Sequence, residues 1–182
     1  MEGALNDEPG IYVMFEESCE DVVDQAKEFG WDLEELGSEN KLVINSLSPE
    51  DLRGVIDKIK SLSAGIGAKR LVIDSLSTVM VYVAIPMEGG LIKVEDLVEN
   101  RFDIFPSIIG DSITRRTVHS LIQQIKDINL TSILISELPK ESSYLSRDTV
   151  SEFACDGVIF FIISISFSLL CCVIYLGIQW KV

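Results

Sequence analysis

A three-layer α/β domain with a mostly parallel sheet is the fold class this sequence predicts, on three observations. Short apolar runs rich in β-branched residues recur at residues 11–15, 41–45, 70–74 and 131–136. Between most of them lie stretches whose apolar residues repeat at offsets of three and four, the spacing of a helix buried on one side. Three of the runs end in acidic residues, Glu16 with Glu17, Asp74, and Glu137. Parallel sheets are covered by helices on both faces, and their ligands gather at the carboxyl ends of the strands.

Taken in order, residues 11–15 read IYVMF and form the first strand, which Glu16 and Glu17 end. Ser18 with Asp21 three positions later writes a capping box for a helix running to about residue 29. Val22, Val23, Ala26 and Phe29 mark its inner face, and Gly30 stops it. A short strand follows at residues 41–45. Ser48 caps the next helix, Pro49 fits its first turn and Asp51 completes a second box. Leu52, Val55, Ile56, Ile59 and Leu62 form its apolar stripe, and Gly65 and Gly67 make a flexible exit. Residues 70–74, RLVID, are a buried strand ending in a carboxylate, with Ser75 and a helical start behind it. Residues 85–111 hold Pro86, Pro106 and no sustained period, which predicts a long loop of the kind that carries function. From about Ser112 a helix points Val118, Leu121, Ile122, Ile125 and Ile128 inward, with Arg115, Arg116, Gln123, Gln124 and Lys126 outside. A strand at residues 131–136 and a polar loop at 138–149 come next.

With 182 residues, 47% of them apolar, the chain has room for one domain and its core. Its 29 acidic and 15 basic residues give a formal net charge of −14, so no basic face for nucleic acid is expected. The four cysteines form no C-x-x-C pair and no spacing with histidine, which argues against a zinc site or a disulfide framework and fits a reducing compartment. His119, the single histidine, excludes H-E-x-x-H and is expected on a helix surface. No G-x-S-x-G elbow accompanies it, and no G-x-G-x-x-G follows the first strand, which argues against a Rossmann oxidoreductase. Met1 is followed by acidic and polar residues, not by a signal-peptide pattern.

From Gly157 to Ile178 the chain carries no charge, and Trp180 and Lys181 follow like interfacial anchors. The length fits a membrane-spanning helix over residues 158–180, which would leave the acidic domain anchored by its tail in the cytoplasm. Residues 163–169, ISISFSL, instead alternate with period two and suit a strand of the same sheet. The membrane helix is the favoured expectation, and both readings stay open at this point.

Five segments carry a resemblance to a known family: EPGIYVMFEES at residues 8–18, FGWDLEEL at 29–36, GAKRLVIDSLS at 67–77, TSILISE at 131–137 and VSEFACDGVIFF at 150–161. In order and spacing they resemble the KaiC-like branch of the RecA-superfamily ATPases. The resemblance implies a RecA-like domain over residues 1–161, ATP and magnesium as cofactors, and ring-type association with itself or with full-length KaiC-like subunits. It implies that Glu16 and Glu17 polarise the attacking water, because water is a poor nucleophile until a carboxylate orients it. Asp74 takes the Walker B position and would hold magnesium directly or through water. Ser75 beside it and Glu137 beneath the phosphates would contact the nucleotide.

The family also has, ahead of the EPGIYV segment, a strand and a G-x-x-x-x-G-K-[ST] loop that cradles the phosphates. These residues contain no such motif; Gly65-Ile66-Gly67-Ala68-Lys69 lacks the adjacent Gly-Lys-Ser/Thr and precedes a strand. An N-terminally truncated domain is therefore expected, with exposed strand edges where the missing strand belongs inside the sheet. Beyond residue 161 the family pattern also stops. A membrane-tethered remnant, a split partner, and a frameshifted or wrongly started reading frame would each account for this, the last being favoured. The functional expectation is an ATPase-family domain that binds ATP weakly and does not hydrolyse it alone. The alternative is a non-enzymatic, membrane-tethered module that docks on complete KaiC-like subunits.

Overall fold

The four runs read as strands lie side by side in the computed structural model. It describes the backbone of residues 1–49, 51–81, 84–87, 90–93, 107–137, 150–165 and 168–177, with side chains at 1–49, 51–79, 114–136 and 150–159. β1 (Gly10–Met14) runs parallel to β2 (Leu42–Ser46) on one side and to β3 (Arg70–Asp74) on the other. β3 in turn runs parallel to β6 (Thr131–Glu137), with Leu71 opposite Ser132. The helices between them are α2 (Cys19–Glu28), α3 (Leu33–Ser38), α4 (Leu52–Ile66), α5 (Leu76–Val81) and α6 (Ser107–Asp127). α1 (Glu2–Leu5) precedes the first strand, and α7 (Ser151–Ala154) leads into β7 (Gly157–Ile165) and β8 (Ser168–Gly177).

Strand alternation divides the apolar residues between two layers. Ile11, Val13, Leu71, Ile73 and Leu134 face α4 and α6, whose Val55, Ile56, Ile59, Val118, Leu121, Ile122 and Ile125 complete the main core. On the opposite face, Leu42 and Ile44 of β2 pack under Ala4, Ala26, Leu33 and Leu36, so α1, α2 and α3 form the second helical layer. The predicted stripes of α4 and α6 therefore point inward, and each fully buried aliphatic contributes about 1.5–3 kcal/mol. His119 is on the exposed side of α6, as expected.

The caps explain where the helices begin and end. At α2 the predicted capping box forms: the Asp21 N–H donates to Ser18 Oγ at 3.2 Å, and the Ser18 N–H reaches Asp21 Oδ2 at 3.4 Å. Ser18→Ala should cost about 1 kcal/mol. The expected readout is a lower urea midpoint with an unchanged slope. α4 ends at Gly67, whose φ of 62° lies in the left-handed region where glycine carries no penalty.

Several boundaries differ from the sequence expectation. α4 starts at Leu52 with Asp51 as its N-cap, not at Ser48, and Asp51 makes no side-chain capping bond. Pro49 biases Ser48 toward extended backbone, and helical bonding begins with the Val55 N–H to Asp51 O at 2.9 Å. Phe29 is not on the inner face of α2. The helix ends at Glu28, Gly30 turns the chain, and Phe29 is 71% exposed with its ring beside Trp31. Within the expected loop at 85–111, β4 (Ala84–Met87) and β5 (Gly90–Lys93) form an antiparallel hairpin and α6 begins at Ser107. The expected polar loop at 138–149 lies outside the described residues.

The largest correction concerns the uncharged C-terminal stretch. It is not a spanning helix over residues 158–180. β7 and β8 are antiparallel, with Val158 opposite Tyr175 and Phe161 opposite Cys172. β8 also runs antiparallel to β6, with Ile133 opposite Leu176, and the sheet order is β2-β1-β3-β6-β8-β7. The stretch is long enough for two strands, and pairing gives both their backbones and the free edge of β6 hydrogen-bond partners. Among the described residues no helix is long and apolar enough to cross a membrane. The tail anchor, the membrane contact and the membrane localisation expected over these residues thus lose the helix they required, and strands of the same sheet take its place, although residues 163–169 are not the single strand of the alternative reading: β7 ends at Ile165 and β8 begins at Ser168.

Candidate functional site

Because β1, β3 and β6 are parallel, their carboxyl ends lie on one edge, and the acidic residues at those ends are placed along it. The edge is knitted beyond the regular ladder. The Phe15 N–H donates to Asp74 O at 3.2 Å, and the Leu47 N–H to Met14 O at 2.9 Å. Ser46 Oγ donates to the main-chain carbonyl of Glu17 at 3.0 Å, which fixes the acidic turn against the end of β2.

Asp74 is half-buried, and the Tyr12 hydroxyl donates to its Oδ2 at 2.7 Å. The register explains the reach: Tyr12 sits opposite Val72, so its phenol extends along the sheet to the carboxylate two residues on. A buried phenol needs a partner for its hydroxyl, and here the partner is the strand-end carboxylate. Burial first, then that bond, then the charges of Asp74 and Glu17, push the Tyr12 phenol well above its ordinary value of 10.0. The fold thus favours the neutral phenol. Below about pH 10 both folded and unfolded chains keep the proton, and above it the unfolded chain releases it first, so stability is lost as pH rises. Tyr12→Phe should flatten that alkaline decline, read as a smaller difference between urea midpoints at about pH 9 and about pH 11.

The second half of the site is built by the turn from β3 into α5, where the Asp74–Ser75 peptide is cis. Ser75 Oγ caps α5 by accepting the Thr78 N–H at 3.2 Å. Thr78 Oγ1 donates to Glu16 Oε1 at 2.7 Å and lies 2.9 Å from Ser75 Oγ. With the Thr78 proton committed to the carboxylate, the Ser75 hydroxyl donates to Thr78. Ser77 and Ser136, both buried, approach at 3.2 Å and tie α5 to the end of β6, one residue before Glu137.

The structure therefore brings Glu16, Asp74 and Ser75 into one hydrogen-bonded neighbourhood, with Glu17 at the same turn. Glu137 ends β6 on the same edge, and its side chain lies outside the described residues. Among the described residues no three histidine, cysteine, aspartate or glutamate side chains converge as a metal cage. The carboxylates of Glu16 and Asp74 are oxygen donors of the kind magnesium takes, one or two at a time together with waters and substrate phosphates. Sequence reasoning missed Tyr12 and Thr78. A tyrosine inside an aliphatic strand, and a threonine three residues after a candidate cap, were the available signals.

A family model described as "ATPase: KaiC" matches residues 1–90 and 105–166. The circadian clock oscillator protein KaiC of Prochlorococcus marinus is 31% identical over 163 residues, covering 84% of this chain and 28% of that protein. Its counterpart from Synechococcus elongatus is 29% identical over the same length, covering 84% of this chain and 27% of the relative. The chain thus spans little more than a quarter of the length of the curated relatives it matches. On the extent of the family match, and with a mostly parallel sheet whose carboxyl edge carries the acidic residues, the chain belongs to the KaiC family of RecA-superfamily ATPases.

Proposed function

We propose that these residues supply the metal-holding and water-orienting side of a magnesium–ATP site. The observation that carries the reading is the carboxyl edge on which Asp74, bonded to Tyr12, stands beside Glu16, bonded to Thr78, in a chain of this family. Asp74 would hold magnesium directly or through water, with Ser75 and Glu137 toward the nucleotide. Glu16 and Glu17 would take a hydrogen bond from the attacking water and orient it toward the γ-phosphate. Bound there, magnesium would neutralise charge on the phosphate oxygens.

No G-x-x-x-x-G-K-[ST] sequence occurs within the 182 residues, so the amide cradle and lysine that stabilise a transferring phosphoryl group are not among them. Such electrostatic stabilisation is worth several kcal/mol in phosphoryl transfer. These residues alone therefore bind ATP weakly and turn it over near the uncatalysed background, and association with itself or with full-length KaiC-like subunits is the route to a complete site. The test is phosphate release from magnesium–ATP by the purified 182-residue chain, alone and mixed with a full-length KaiC relative, with sedimentation to read association. Near-background release alone and co-sedimentation with the relative are expected. Rapid turnover by the chain alone would sink the reading of an incomplete site.

A further inference from the structure

The hydroxyls of α5 distinguish two glutamates that look alike in the sequence. Thr78 is 8% exposed in the first turn of α5, between Leu76 and Val79, which are 0% and 1% exposed, so its hydroxyl is held at a fixed point. It donates to Glu16 Oε1 at 2.7 Å, and Ser75 Oγ stands behind it at 2.9 Å. That bond uses one oxygen of Glu16 and leaves Oε2 to accept from another donor. Glu17 is held differently: Ser46 grips its main-chain carbonyl, and its carboxylate accepts no hydrogen bond among the described residues.

We propose that Thr78 is a positioning residue that orders the Glu16 carboxylate, making Glu16 rather than Glu17 the glutamate that orients the attacking water. The proposal rests on the ATPase reading above and specifies which carboxylate that site uses. The direction of the chain follows from proton counting. A carboxylate can only accept, so Thr78 must donate to it, and Ser75 must then donate to Thr78. Glu16 is exposed, and without Thr78 its side chain would sample several rotamers in water. Holding a reacting group within a fraction of an ångström of its productive place is what such a buried anchor provides.

The link can be read without nucleotide, in the full chain labelled with carboxyl-13C glutamate. Glu16→Gln and Glu17→Gln assign the two carboxyl resonances. Thr78→Val, which keeps the shape and removes the hydroxyl, should move the Glu16 resonance and leave that of Glu17 in place. Thr78→Ser should restore it, and Ser75→Ala, which spares Thr78 itself, should move it the same way. An unmoved Glu16 resonance in Thr78→Val, or one displaced equally in Thr78→Ser, overturns the proposal. For the role itself, hydrolysis of radiolabelled ATP by the chain in complex with a full-length KaiC relative, counted above that of the relative alone, should fall about ten- to a hundredfold in Thr78→Val and Glu16→Gln at unchanged association, and less in Glu17→Gln. An equal or larger loss in Glu17→Gln assigns the water to Glu17 instead. Failure of the ATPase reading would appear separately, as magnesium-dependent nucleotide binding that ignores Asp74, and would leave the resonance result untouched.

Discussion

Asp74→Asn is expected to abolish magnesium-dependent nucleotide binding while leaving the fold in place. The exchange preserves size and leaves an oxygen that can still accept from the Tyr12 hydroxyl, now 2.7 Å from Oδ2. What disappears is the negative charge. Magnesium is a hard cation that sheds water reluctantly and selects charged oxygen ligands over amides. Removing only a hydrogen-bond partner of a metal ligand typically weakens affinity by about 10–100-fold. Removing the ligand's charge should exceed that range, and on the function proposed above the native binding is itself weak. Calorimetric titration with ATP, in magnesium and in chelator, should show a magnesium-dependent component for the native chain and none for the variant. Equal binding by both would take the Walker B role away from Asp74.

Much of this architecture was legible because it is local. β3 was bounded to the residue by an apolar run with a charge at each end, Arg70 and Asp74. The stripe on α4 and the Ser18–Asp21 box needed only neighbours within a few positions. The failures have a common cause, which is that the deciding partner is distant. Hydropathy over residues 157–178 is compatible with a lipid-spanning helix, and what resolves it into β7 and β8 is the unpaired edge of β6, whose Ile133 meets Leu176 from far along the chain. The period-two alternation at residues 163–169 pointed to strand in place of helix but not to its bounds, since β7 ends at Ile165 and β8 begins at Ser168. The site divides the same way. Asp74 and the Glu16–Glu17 pair announce themselves at strand ends, but Tyr12 with Asp74 and Thr78 with Glu16 are each separated by 62 positions and become visible only when β1 and β3 are set in register. Phe29 failed for a different reason: the stripe continued in sequence one residue beyond Glu28, where the helix ends and Gly30 turns the backbone away.

The largest effect on stability is expected at Ile59, which is 0% exposed in the middle of α4. It belongs to the cluster that includes Ile11, Val13, Ile73 and Ile122, contributed by β1, β3 and α6, so a truncated side chain there leaves space between layers that are fixed on three sides. Ile59→Ala should cost about 2–5 kcal/mol, toward the upper end if the helix cannot settle onto the sheet. Against the roughly 5–15 kcal/mol by which a domain is stable, that is a large share. Urea unfolding should show a lower midpoint with the slope retained. Phe29→Ala serves as the contrast: its ring is exposed and touches Trp31, so about 1 kcal/mol is the most it should lose. The pair also separates stability from chemistry. Val13 and Ile73 face the same core one residue before Met14 and Asp74, so loosening α4 lowers the fraction of molecules with an assembled carboxyl edge. It does not alter the carboxylates on that edge. Magnesium-dependent nucleotide affinity, counted per folded molecule, should therefore be the same in Ile59→Ala as in the native chain, whereas in Asp74→Asn it should vanish at full stability. A coupled loss of both in Ile59→Ala at temperatures where it is fully folded would mean that the α4 layer sets the geometry of the edge directly, rather than merely keeping the sheet folded beneath it.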